Sequence, residues 1–163
     1  MIALVTDRTA ADVNRLRELT RKALSGTGAT FAERLTDAER AEWLAASNKG
    51  AYNASDLNRV GQACQELYEA FTDSGYELPS YYQTPTNWSV TDVPYGRMMA
   101  YYIGNVAAIK AALDAETDVP DTMDGLDFYG ANAIERLLLE ADALLNRLKL
   151  GFIYSGEIYS GEF

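Results

Sequence analysis

The chain contains no histidine and a single cysteine, Cys64. Without histidine, the usual general base at neutral pH and the commonest metal ligand are both missing. Ser-His-Asp and Cys-His catalysis are excluded, as are zinc sites built on cysteine and histidine. One cysteine cannot form an internal disulfide, so the fold does not rely on an oxidising compartment. There is no run of lysine or arginine, and 14 basic against 24 acidic residues give a formal net charge of −10. That balance argues against a phosphate-tracking interface with nucleic acid and against binding to an anionic membrane. No stretch approaches transmembrane length. Met1-Ile2-Ala3-Leu4-Val5 has no basic flank and is too short for the apolar core of a signal peptide. A chain made and kept soluble in a cytoplasm is expected.

What is present is hydrophobic content of 48% in 163 residues, enough for one domain with a buried core. Met1–Val5 is apolar and β-prone, and reads as a short strand. Thr9, with Asp12 three residues on, reads as the cap of a first helix, ended by Ser25-Gly26-Thr27-Gly28. Thr36 and Glu39 form a capping box before a short helix carrying Trp43 and Leu44. Ser55 is the expected cap of a third helix, whose apolar face is Leu57, Val60, Gly61, Cys64, Leu67, Tyr68 and Phe71. Ser74-Gly75 stops it. Pro94 is expected to open a fourth helix, on which Tyr95, Met99, Tyr102, Val106, Ile109 and Leu113 alternate in steps of four and three. Asp127 is the expected cap of a fifth, on which Ala131, Ile134, Leu138, Ala141, Leu145 and Leu148 do the same. Two such seams, joined by a short connection, suggest an antiparallel helical hairpin.

Motifs that carry chemistry are scarce. Cys64 lies on an apolar helix face and reads as a small buried hydrophobe. Ser25-Gly26-Thr27-Gly28-Ala29-Thr30 lacks the lysine of a phosphate-binding loop. Asp118, Asp121, Asp124 and Asp127 recur every third residue, the wrong spacing for a calcium loop, and read as a solvated linker with caps. Among so many acidic residues some pair always lies close, so paired carboxylates signal no glycosidase. No catalytic, cofactor or metal residues are assigned, and the chain is expected not to be an enzyme.

Two segments remain. Between the third and fourth helices, Tyr76, Tyr81, Tyr82 and Trp88 form an aromatic loop. It either covers the end of the bundle or presents a recognition surface for a glycan or protein. At the C-terminus, Ile153-Tyr154-Ser155-Gly156-Glu157 is repeated as Ile158-Tyr159-Ser160-Gly161-Glu162, followed by Phe163. This reads as a strand-like appendage, residues 151–163, on a helical domain of residues 1–150. Strand edges need partners, so the tail pairs within the chain or with a second copy. Phe152, Ile153, Tyr154, Ile158, Tyr159 and Phe163 are its candidate assembly residues.

Several strings are distinctive: Gly50-Ala51-Tyr52-Asn53-Ala54-Ser55-Asp56-Leu57-Asn58-Arg59-Val60, Trp88 with Thr91-Asp92-Val93-Pro94, Ala131-Asn132-Ala133-Ile134-Glu135, and the closing Tyr-Ser-Gly-Glu units. Together they resemble small virion and tail-module structural proteins of phages and prophages of Gram-positive gut bacteria. Tyr95 departs from the pattern, where a small capping residue is expected. The resemblance implies a structural subunit of the virion, in the tail tip, baseplate or fibre region. It would be made in the bacterial cytoplasm and would assemble with itself and other virion proteins. The expected fold is mainly α, a small antiparallel bundle of about five helices with a minor β element from the tail and the N-terminal strand. The expected function is assembly without catalysis or cofactor. The alternative is recognition of a cell-surface glycan or host protein through the aromatic loop.

Overall fold

Helix-forming segments with an apolar stripe fold by burying that stripe against one another. The computed structural model describes residues 3–25, 30, 34–45, 47–78 and 81–159, with side chains described as far as residue 150. It shows five helices and no strand among the described residues: α1 (Ala10–Leu24), α2 (Asp37–Leu44), α3 (Ala54–Asp73), α4 (Gly96–Leu113) and α5 (Phe128–Tyr159). The protein is mainly α, as its periodicity indicates.

Local chemistry sets the helix starts. Thr9 and Asp12 form a reciprocal capping box at α1, and Thr36 and Glu39 form another at α2. The cap of α3 is Asn53 rather than the expected Ser55. The Asn53 Oδ1 accepts from the Ser55 and Asp56 backbone N–H groups, and the Asp56 carboxylate accepts from the Asn53 N–H. Asn53 wins because an acceptor lies three residues on to complete the box. Pro94 does not open α4; the helix begins at Gly96, and Tyr95 occupies the cap with no side-chain bond. Asp127 caps α5, its Oδ1 accepting from the Gly130 N–H at 2.8 Å. Gly75, at φ 79°, closes α3 in the left-handed conformation that a Cβ disfavours.

Two cores result. Leu19, Ala23 and Leu35, with Trp43 beside them, join α1 to α2. The two helices are antiparallel, since Arg15 meets Glu42 and Lys22 meets Glu39. The larger core, including Val60, Leu67, Phe71, Val106, Ile109, Ile134, Leu138 and Leu145, lies between α3, α4 and α5.

The direction of these three helices differs from the expected hairpin. Glu135, in the first turns of α5, bonds Arg59 at the start of α3 and shares Arg8 with Asp56 of the same helix start. Tyr52, just before α3, shares a hydroxyl hydrogen bond with Tyr102 in the first half of α4. Ala115, beyond α4, still bonds to the Lys110 carbonyl, and Thr117 already reaches Glu140 well along α5. The helices therefore run parallel, with their N-termini at one end. Residues 76–95 return along α3 and residues 115–127 along α4.

The tail also differs. The backbone of α5 remains helical through Gly151 to Tyr159, so the expected strand over Phe152, Ile153, Tyr154, Ile158 and Tyr159 is helix instead. Extending a formed helix adds a hydrogen bond for each residue fixed, whereas β preference depends on a partner strand. Phe163 lies outside the described residues. So do Met1 and Ile2; Leu4 and Val5 of the expected N-terminal strand form no strand. No described helix is long and apolar enough to cross a membrane.

Candidate functional site

Parallel helices require extended return segments, and those segments carry backbone groups that need partners. Asparagines on the three long helices act as such partners, two for the 76–95 return segment and one for the N-terminal segment. Asn58 of α3 accepts from the Trp88 N–H at 2.6 Å and donates to its carbonyl at 2.9 Å. Asn105 of α4, 3% exposed, holds Tyr82 the same way at 2.9 and 2.8 Å. Asn132 of α5 accepts from the Arg8 N–H at 3.1 Å and donates to the Arg8 carbonyl at 2.8 Å. Each side-chain amide thus mimics a neighbouring strand.

These clasps distribute the aromatic loop along the bundle. Tyr76 packs edge-on against Phe71 at 6.3 Å, and Tyr81 lies tilted against Tyr68 at 4.9 Å, partly buried on the core. Tyr82 stacks nearly flat on Tyr101 at 4.6 Å and remains 44% exposed. Trp88 leaves the tyrosines and joins Trp43 in a groove of about 370 Å³. Leu44 and Val90, both strongly exposed, also line this groove. The Asn58 clasp holds Trp88 at the groove that Trp43 also lines, a placement not legible from the separate helix stripes.

The N-terminal segment meets α3 and α5 at a buried ionic cluster. Arg8 bonds Asp56 at 2.7 Å and Glu135 at 2.6 Å. Arg59 bonds Glu135 through Nε at 3.0 Å and through its terminal nitrogen at 2.7 Å, and also bonds Asp56. Glu135 further accepts the Val5 N–H. Glu135 is fully buried, and Arg8 and Asp56 are nearly so. Two cations balance two carboxylates, and the Arg8 guanidinium lies 5.5 Å from the Tyr52 ring centre. Burial of Arg8 opposes its charge, but Glu135 and Asp56 outweigh this and raise its pKa. Burial also drives the Tyr52 and Tyr102 hydroxyls well above the ordinary phenol range, so both stay protonated. The cluster is a clasp between three segments. Every carboxylate in it is held by arginine, which leaves none placed as a free base.

Cys64 is buried in the core, and burial pushes its thiol up to about 12. It is therefore inert as a nucleophile.

Of the other sequence-derived candidates, Phe152, Ile153, Tyr154, Ile158 and Tyr159 lie on the last helix, and Phe163 lies outside the described residues. Leu145 is the last buried position of α5 among the described side chains, Leu150 is 54% exposed, and the helical backbone continues to Tyr159. Compared with family models, curated proteins and solved structures, the chain matches none of them.

Proposed function

We propose that the chain is a non-enzymatic assembly subunit that self-associates through the far end of α5, as a structural part of a phage virion in the tail, baseplate or fibre region. The observation that carries this reading is the length of α5. At 1.5 Å per residue, the helix extends on the order of 20 Å beyond Leu145, its last buried position among the described side chains. Sequence register continues the stripe: Leu145, Leu148, Phe152 and Tyr159 are spaced by three, four and seven residues. Such a helix assembles by burying its stripe in a groove or against a second helix, rather than by pairing strand edges.

The test is native mass by light scattering across a concentration series, for the full chain and for one ending at Leu150. The full chain should form oligomers and the shortened chain should be a monomer of unchanged thermal stability. A monomeric full chain, or equal assembly by both, refutes the reading.

A second reading, recognition, draws on the groove shared by Trp43 and Trp88. Its asparagines are engaged internally: Asn58 clasps Trp88, Asn53 caps α3, and Asn48 donates to the Glu42 carbonyl. That favours an apolar protein segment over a sugar. Tryptophan fluorescence should shift with such a partner and lose its response in Trp88→Ala, whose backbone clasp survives.

A further inference from the structure

The end of the bundle opposite the α5 extension holds a cavity of about 400 Å³, within the range of small-molecule sites. One wall is a stripe of α1, in which Ala10, Val13, Asn14 and Arg17 follow the spacing of a single helix face. The first turn of α5, with Phe128, forms another wall, and residues 49–52 close the third. This third wall depends on Gly50. A Cβ there would lie 2.5 Å from the Asp12 carbonyl oxygen and 2.5 Å from the Leu16 Cβ, so only glycine lets the turn approach α1.

The lining of this cavity carries more basic than acidic side chains, with Arg8 balanced by Asp56 and Glu135 and Lys49 by Asp7. Acidic residues outnumber basic ones overall, yet Arg8, Arg17 and Lys49 line the cavity beside one carboxylate, Asp127. The Asp127 Oδ1 is already committed to the Gly130 N–H. Arg17 has no ionic partner among the described residues, and Lys49 is paired only with Asp7, whose side chain is 71% exposed. Arg8, 4% exposed, keeps its Nε without a hydrogen-bond partner although its terminal nitrogens are bonded. The first turns of α1 and α5 add their partial positive charge. Beside these groups lie apolar and aromatic surfaces from Tyr52, Leu126 and Phe128.

We propose that this cavity binds a small organic anion with a flat apolar body, a phosphate monoester of an aromatic group being the fitting class. The anionic head group sits among Arg17, Lys49 and the helix N-termini, and the flat body lies against Tyr52 and Phe128. Arginine and lysine here act in their ordinary anion-binding role, a fork and a point charge.

The experiment is calorimetric titration of the full chain with phenyl phosphate, with inorganic phosphate, and with phenol. Phenyl phosphate should bind saturably, at least tenfold more tightly than either fragment. The double variant R17Q/K49Q alters two residues outside the core, so it should keep its thermal stability while losing at least tenfold in affinity. Arg136→Gln, an exposed charge on α5 outside the cavity, should leave affinity unchanged. Absence of saturable binding overturns the proposal. So does equal binding of inorganic phosphate, full affinity in R17Q/K49Q, or an equal loss in Arg136→Gln.

Discussion

Replacing Glu135 by glutamine removes one charge from a fully buried site without changing its shape. Arg8 and Arg59 then face Asp56 alone, and the cluster carries an uncompensated positive charge. The amide also presents a donor where Arg59 Nε or the Val5 N–H requires an acceptor. Breaking a buried ion pair by removing one partner typically costs about 3–5 kcal/mol, because the remaining charge stays desolvated. Arg8→Met should cost a similar amount for the opposite reason, leaving Asp56 and Glu135 to share Arg59. The double variant restores neutrality, with Arg59 facing Asp56. Its cost should therefore fall short of the sum of the singles by about 1–3 kcal/mol, the coupling expected of groups in one network. Urea unfolding followed by helical circular dichroism and tryptophan fluorescence measures all three. Singles costing under about 1 kcal/mol, or strictly additive effects, would refute the view that these four side chains act as one neutral buried unit.

Other expectations follow from single sites. Asn105→Ala loses both bonds to the Tyr82 backbone and should destabilise by roughly 1–3 kcal/mol in the same assay; an unchanged midpoint would show that the clasp contributes nothing. Gly50→Ala forces a Cβ against the Asp12 carbonyl and should cost about 1–3 kcal/mol by overpacking, read as a lower melting temperature. The Cys64 thiol, raised to about 12, should react with an aromatic disulfide reagent at pH 8 only as fast as the chain unfolds; rapid labelling of the native protein would contradict its burial. Glu39 is held down to about 2, first by the Lys22 ammonium and then by the Thr36 N–H. A depressed carboxylate stabilises the fold fully above its ordinary value of 4.5, and this is lost as pH falls toward about 2. Glu39→Gln should flatten the acid limb of a stability profile across that window, and an identical limb in the variant would refute the assignment.

Helical periodicity located the core faces because burial of a stripe is a local property of spacing. Leu57, Val60, Cys64, Leu67 and Phe71 of α3 are buried, as are Ala131, Ile134, Leu138, Ala141 and Leu145 of α5. Periodicity carries no information about direction. A seam of three and four steps looks the same to a parallel and an antiparallel neighbour. The connection from Asp114 to Asp127 seemed short, yet its 14 residues, when extended, span roughly 45 Å, more than the ~27 Å length of the 18-residue α4. The ionic cluster was hidden for a related reason. Arg8, Asp56, Arg59 and Glu135 are residue types that normally mark exposed faces, and only tertiary proximity makes them buried partners. One signal was available, because Glu135 falls between Ile134 and Leu138 on the apolar stripe. The tail was misread because isoleucine and tyrosine favour strands only where a sheet receives them.

Parallel packing also gives the molecule two chemically different ends. The first turns of α3 and α5 meet at one end, where Arg8 and Arg59 neutralise the carboxylates of Asp56 and Glu135. The N-terminus of α1 joins them there, around the cavity. At the opposite end, α5 continues beyond Leu145, its last buried position among the described side chains. Aligned helix dipoles disfavour this arrangement and place partial positive charge at the first end. An anion in the cavity would offset that charge, and an assembly built on the α5 extension would leave the cavity open to solvent. Anion binding and assembly should therefore be separable. Cutting the chain at Leu150 should abolish oligomers while preserving the affinity for phenyl phosphate, and R17Q/K49Q should do the reverse. If truncation weakens phenyl phosphate binding tenfold, the two ends are coupled, and the picture of one bundle with independent ends fails.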